Sequence, residues 1–202
     1  MSSVLGKSPA GLRVHSAHLS SPKPGEIHNG DAVLVRHDEA RQLTMLAVID
    51  GLGHGKDAAA ASHAAVERLT LMTLGIPVLD AMRAVHEELR GSRGAAATIC
   101  MIDGTRLEGC AVGNVQLMCV NCDVPLVLSG GILGHQVAKF RVATCEVKAG
   151  ARLALLSDGI SLRFRLEELR HLEPAAACDF VMGKHRRRED DATVLVADLR
   201  AR

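Results

Sequence analysis

Leu46-Ala47-Val48-Ile49-Asp50-Gly51-Leu52-Gly53-His54-Gly55 reads as a buried strand that ends on a carboxylate and a glycine-rich turn. The apolar run is short and rich in branched side chains, which favours strand over helix. Gly51, Gly53 and Gly55 let the backbone after Asp50 pass close to a neighbour where a Cβ would obstruct. An alanine-rich segment follows. Ala58, Ala61, Ala65, Leu69 and Met72 recur at intervals of three and four, which predicts a helix over 56–74 with one apolar face. Gly75 and Pro77 end it, and Val78, Met82, Val85 and Leu89 line a second helix closed by Gly91 and Gly94. A carboxylate at a strand end beside open carbonyls suits a hard divalent cation. A dinucleotide-binding turn fits less well. Its third glycine would fall at position 56, where Lys56 stands, and its strand is not expected to close on an acid. The bland alternative is a tight strand-to-helix connection, and the remaining acids decide against it.

Working outward, 32–36 and 43–49 are strands separated by a polar turn and are expected to pair antiparallel. A looser alternation over 12–19 predicts a first strand, and Pro22, Pro24 and Gly25 a loop after it. From Ala95 to Leu156 the signal is strand throughout. The runs 97–102, 106–112, 115–120 and 140–147 read as a meander forming one half of a β-sandwich. A further strand, 152–156, stops at Ser157-Asp158-Gly159. Helices are predicted over 167–172 and 175–182, a polar basic loop over 183–190 and a last strand over 193–197. With no internal repeat or linker, one domain over 1–202 is expected, with 1–11 as a poorly ordered tail.

The composition excludes several classes. Aromatic residues make up 1% of the 202, with three Phe and no Trp or Tyr, so the core is aliphatic and no stacking platform for nucleic acid is expected. A net charge of +1 adds no general field for polyanions. No apolar run is long enough to span a membrane and the N-terminus lacks a signal core, so a cytoplasmic protein with no membrane partner is expected. The six cysteines then read as reduced core residues. Cys100 and Arg106 have the spacing of a thiol phosphatase, but Asp103-Gly104 between them reads as a hairpin turn. Cys119 and Cys122 form a lone CxxC, which reads as core packing rather than zinc.

Acids recur beside branched aliphatic runs at Asp31, Asp50, Asp158 and the pair Asp190-Asp191. Strands that bring these ends together would gather carboxylates that resist joint ionisation unless cations neutralise them. Oxygen ligands without a His pair favour magnesium or manganese over zinc. Two such ions can clamp a phosphate.

Gly30-Asp31, Asp50-Gly51-Leu52-Gly53-His54-Gly55, Gly113-Asn114, Ser157-Asp158-Gly159 and Asp190-Asp191-Ala192-Thr193 occur in this order. The ordered set resembles the metal-dependent PP2C-type Ser/Thr phosphatases, and within them the SpoIIE-like sporulation-phosphatase branch, over roughly 12–199. The compact length resembles that branch's stressosome feedback phosphatases. The resemblance implies an α+β fold, an αββα sandwich of two antiparallel β-sheets flanked by helices. It implies two Mn2+ or Mg2+ ions, with Asp50 bridging both, the Gly51 carbonyl binding one, Asp158 and Asp190 as direct ligands, and Asp31 binding directly or through water. Asp50, Asp158 and Asp190 are thus the expected catalytic residues. Asp190 takes the acid place of the family's Asp-Asn-x-Thr pattern, and Asp191 stands where Asn is usual. The larger eukaryotic members carry a His at the place of Leu52; His54 is the nearest histidine here. No basic phosphate-binding residue is identifiable near the N-terminus, where Arg13 is a poor candidate. Lys184-His185-Arg186-Arg187-Arg188 reads as a solvated loop or as a surface for a phosphoprotein, with Arg186, Arg187 and Arg188 as candidate substrate-binding residues. The implied function is dephosphorylation of phosphorylated STAS-domain proteins in a stressosome-type complex by a monomeric enzyme. Its rivals are a phosphatase of an anti-anti-sigma factor and a phosphatase-like binding module with weak turnover.

Overall fold

The computed structural model describes residues 11–202. The expected tail lies outside the described residues except for Gly11, whose carbonyl accepts the Arg202 amide. The elements in chain order are β1 (Leu12–Ser21), β2 (Asp31–Asp38), β3 (Leu43–Gly51), α1 (Lys56–Leu71), α2 (Val78–Glu88), β4 (Ala95–Asp103), β5 (Arg106–Val112), β6 (Gln116–Val120), β7 (Leu128–Ser129), β8 (Val142–Glu146), β9 (Arg152–Leu156), a 3-10 turn (Leu166–Leu169), α3 (Pro174–His185) and β10 (Ala192–Ala201).

Period-two alternation in β3 sorts the core. Met45, Ala47 and Ile49 pack on α1 and α2 with Ala61, Ala65, Leu69, Met82 and Val85. Leu46 and Val48 point the other way, into a layer shared with Leu153, Leu155, Leu195 and Ala197 of the second sheet. The outer face of that sheet is covered by α3 and the 3-10 turn, through Ala177, Val181, Leu166 and Leu169. This is the expected αββα sandwich. Ala61 and Ala65 carry no bulk beyond Cβ, so α1 lies close on β3; Arg36 Nη1 caps its end by donating to the Leu69 and Met72 carbonyls, each at 2.8 Å.

One sheet has the order β1-β10-β9-β6, the other β2-β3-β4-β5-β7 with β8 also on β5. All pairings are antiparallel except the two-residue β5–β7 pair. The meander expected from Ala95 onward is therefore divided. β4, β5, β7 and β8 stay in the larger sheet, while β6 crosses and pairs with β9, Gln116 opposite Leu156. The crossing occurs at Gly113, whose φ of 86° reverses the chain, and Thr98 Oγ1 anchors it by donating to the Val115 carbonyl at 2.7 Å. The basic segment also differs from expectation. Helix α3 runs on to His185, and Arg186 forms an antiparallel bridge with Ile160, so only its remainder is loop.

Candidate active site

The acids meet where the two sheets end side by side. Asp31 opens β2, and the register sets it directly opposite Asp50 near the end of β3. Like charges facing across an antiparallel pair are unfavourable, so this pairing must be compensated. Asp50 shares the parity of Leu46 and Val48 and so faces the seam between the sheets. From the other sheet, Asp158 follows β9 and Asp190 precedes β10. Ser157 joins the two halves: its Oγ donates to Asp31 Oδ2 at 2.6 Å and accepts the Thr193 amide at 2.9 Å. A cleft of about 410 Å³ opens over this seam, lined by Asp50, Asp158, Asp190, Asn114, Gly53 and Ile132. Asp31 is only 3% exposed and lies below that surface.

Electrostatics agree with the crowding. Burial, then repulsion from Asp31, Asp158, Asp190 and Asp191, pushes Asp50 up to about 9. Burial likewise raises Asp31 to about 7, against the hydrogen bond from Ser157 and the pull of the nearby Thr193 hydroxyl. Asp158 is raised by burial and by Asp190; the Arg187 guanidinium and the Asn114 amide, which donates to Asp158 Oδ2 at 2.6 Å, pull it the other way.

Asp31 Oδ1 is buried without a hydrogen-bond partner, an exception to the rule that buried polar atoms are satisfied. A buried carboxylate oxygen with no donor, beside three further acids and the end of β3, is the donor chemistry of a hard cation. The residues present therefore fit Mg2+ or Mn2+. Among the described residues no three acid, His or Cys side chains are already drawn in around one point.

The glycines are dictated by contact. A Cβ at Gly51 would strike the Ala58 carbonyl of α1, and one at Gly159 would strike the Asp191 carbonyl. Gly51 N–H donates to the Gly30 carbonyl at 3.0 Å, which ties the end of β3 to the turn before Asp31.

Asp190 and Asp191 divide their work. Asp190 faces the cleft. Asp191 is 3% exposed and turned inward, accepting the Lys23 amide on Oδ1 at 2.8 Å and the Gly30 amide on Oδ2 at 2.9 Å. It fastens the β1–β2 loop, and with it Asp31, to the start of β10. Sequence reading missed this role, since its partners lie more than 160 residues away.

The arginines divide as well. Arg186 Nη2 donates to the Pro22 carbonyl at 2.6 Å, so this side chain braces the β1–β2 loop. Arg187 is exposed, its amide donates to the Gly159 carbonyl at 2.7 Å, and its charge acts on Asp158. Arg188 is exposed. His54 lies outside the cleft lining, its Nδ1 2.7 Å from Glu26 Oε1. Arg13 pairs with Glu39 at 4.0 Å near the opposite end of β1, roughly 26 Å along the strand. Cys100 is fully buried between the sheets with its thiol pushed up to about 12, and Arg106 pairs with Glu108, which removes the thiol reading.

With this geometry in view, the sequence matches the family described as Stage II sporulation protein E (SpoIIE) over residues 40–200. The chain belongs to the SpoIIE family of PP2C-type phosphatases. Similar solved structures share its fold. One, described as "The bacterial stressosome: a modular system that has been adapted to control secondary messenger signaling", has a TM-score of 0.85 and 29% identity over 92% of this chain and 99% of that one. RsbX in complex with magnesium has a TM-score of 0.81 and 22% identity over 92% of this chain and 95% of its own. The catalytic domain of the serine/threonine phosphatase PstP with two manganese ions has a TM-score of 0.72 and 22% identity over 94% and 99%. No curated protein matches the sequence. The SpoIIE-family chain shares its sandwich with magnesium-bound RsbX and with the manganese-bound PstP domain. No helix among the described residues is long and apolar enough to cross a membrane.

Proposed function

We propose that this SpoIIE-family phosphatase is a Mn2+- or Mg2+-dependent enzyme that removes phosphate from phosphoserine and phosphothreonine in STAS-domain proteins of a stressosome-type complex. The observation that carries the reading is the meeting of Asp31, Asp50, Asp158 and Asp190 at one seam, with a buried Asp31 oxygen lacking any donor. Asp50 and the Gly51 carbonyl would hold the ions, with Asp158 and Asp190 as direct ligands and Asp31 direct or through water. When bound, such a pair of ions supplies an activated water and neutralises phosphoryl oxygens.

The chain's own residues do the rest. Asn114 orients Asp158, Ser157 orients Asp31, and Asp191 holds the turn before Asp31. Arg187, at the Asp158 edge, draws in the phosphoprotein, while Arg188 adds charge at longer range. The likeness to RsbX and to the stressosome structure supports a phosphorylated STAS domain as substrate, and the reading takes the enzyme as cytoplasmic, monomeric and of one domain.

The test is hydrolysis by chelator-stripped protein of p-nitrophenyl phosphate and of a phosphorylated STAS domain. Activity should return with Mn2+ or Mg2+. Full activity in EDTA would defeat the metal assignment. Activity on a phosphorylated anti-anti-sigma factor but not on stressosome STAS domains would replace the substrate.

A further inference from the structure

The acid cleft shares a wall with a larger groove. Both are lined by Leu52, an exposed apolar side chain at 48% exposure, and the groove, open to solvent, has a volume of about 680 Å³. Ala60, exposed on α1 above the buried Ala61, gives it a small apolar floor; Asp57, Arg93 and His135 stand around it.

The turn that carries Arg93 is fixed by its backbone. Ser92 Oγ accepts the Gly94 amide at 3.0 Å, and His135 Nε2 lies 3.0 Å from the Arg93 carbonyl. The Leu52 amide donates to the Gly94 carbonyl at 2.9 Å, so this turn is fastened to the one that follows Asp50. The guanidinium is held far less. It makes one loose ion pair with Asp57, at 3.8 Å between half-exposed and exposed side chains, of the kind that contributes little. Arg93 Nη1 lies 3.0 Å from where a Cβ on Gly53 would sit, so Gly53 leaves the arginine its place at the rim.

Resting on the phosphatase reading, we propose that this groove receives the extended segment flanking the substrate's phosphoserine, and that Arg93 selects an acidic side chain in it. A phosphoserine in the cleft sends its neighbours outward at about 3.3 Å per residue, which brings the groove within reach of the residues next to it. The apolar floor takes a small side chain. Arg93, anchored by its backbone and weakly paired, can exchange Asp57 for a carboxylate of the substrate. Arg13 lies at the far end of the sandwich and Arg186 is bound to Pro22, so neither serves this side of the cleft.

The test uses Mn2+-loaded full-length protein and synthetic phosphoserine heptapeptides carrying Asp, Ala or Lys one, two or three residues from the phosphoserine, on either side. Wild type should favour Asp over Lys at one of these positions by about tenfold in kcat/KM, and Arg93→Glu should reverse that preference. Ala60→Trp, which fills the floor, should lower the ratio of kcat/KM on peptides to that on p-nitrophenyl phosphate by about tenfold. No charge preference in wild type, the same preference in Arg93→Glu, or an equal fall on peptides and on p-nitrophenyl phosphate would each overturn the groove. Absence of any phosphomonoester hydrolysis by wild type would instead overturn the phosphatase reading and the groove with it.

Discussion

Charge is buried at both ends of this sandwich, to opposite effect. At the end remote from the cleft, Arg152 is 4% exposed, yet its guanidinium is fully engaged. It makes a bidentate pair with Asp198, at 2.5 and 2.8 Å, and donates to the Leu169 and Leu172 carbonyls. At the seam, Asp31 and Asp50 face each other with other acids beside them, and a carboxylate oxygen is left without a partner. A buried charge met by its counter-charge and by carbonyls holds two strands to the 3-10 turn and asks for nothing further. Buried like charges held together by backbone register are tolerated only if something outside the chain completes them. That contrast supports the proposed role of the seam as the functional end.

The sharpest way to break the comparison is to neutralise acids at the seam. Asp50→Asn should lower kcat on p-nitrophenyl phosphate by at least about a hundredfold, with the far-ultraviolet circular dichroism unchanged. Asp158→Asn and Asp190→Asn should also be severe. Asp191→Asn should act differently. Asn can accept one of the two amides but presents an NH2 to the other, loosening the Gly30–Asp31 turn without removing a ligand. The metal concentration for half-maximal activity should rise about tenfold, with kcat recovered at saturation. If Asp191→Asn loses kcat that metal cannot restore, the roles of the pair are reversed.

The opposite end should answer in stability, not turnover. Arg152→Met leaves Asp198 buried without its main partner, which should cost about 3–5 kcal/mol in urea unfolding. Arg200, whose Nη2 is 3.5 Å from Asp198 Oδ2, favours the lower figure. The folded fraction at 25 °C should retain its kcat. A large loss of kcat with unchanged stability would show that the two ends are not separable.

Much of this contrast is legible in the sequence, and the unread part has a physical pattern. The shared parity of Leu46, Val48 and Asp50 is enough to aim the carboxylate at the seam, and the glycine at 51 marks a close approach that the α1 backbone makes. Those signals are local, carried by period-two alternation and by missing Cβ atoms. The departure of β6 from its meander is not local. It depends on Gly113 turning the chain and on a vacant edge of β9 written some forty residues later. Likewise, nothing in Arg186-Arg187-Arg188 distinguishes the arginine that braces Pro22 from the one that faces Asp158. Asp190 and Asp191 are equivalent acids until the Lys23 and Gly30 amides claim one of them.

A smaller effect follows from acidity. Asp50 and Asp31 have folded-state values near 9 and 7, above the ordinary carboxylate value of 3.8. Between that value and the raised ones, the metal-free folded protein keeps protons that the unfolded chain has released. Its stability must therefore fall as pH rises through this window. Bound metal displaces those protons, so its stabilisation grows with pH. Melting temperatures in EDTA and in saturating Mn2+ should diverge from pH 5 to pH 8. Parallel curves would mean that the seam binds no cation through these two acids.

The smallest effect expected lies at the rim, where the two arginines facing solvent differ in geometry. Arg187 is pinned by its amide to Gly159 and acts on Asp158, whereas Arg188 is exposed one residue further on. Removing Arg187 takes away a cation that stabilises the Asp158 carboxylate and that, on the proposed function, meets the incoming phosphoprotein. Removing Arg188 takes away only a solvated charge, screened beyond roughly 8–10 Å at physiological ionic strength. Arg187→Ala should therefore lower kcat/KM on a phosphorylated STAS domain several-fold, about three to ten, and more so in low salt. Arg188→Ala should change it by less than about twofold. Arg186→Ala belongs with the scaffold, because its guanidinium braces Pro22, and should appear as a lower melting temperature. Equal, salt-sensitive losses for all three would mean that the segment works as a diffuse positive patch, and that the separate contacts of Arg186 and Arg187 carry no functional distinction.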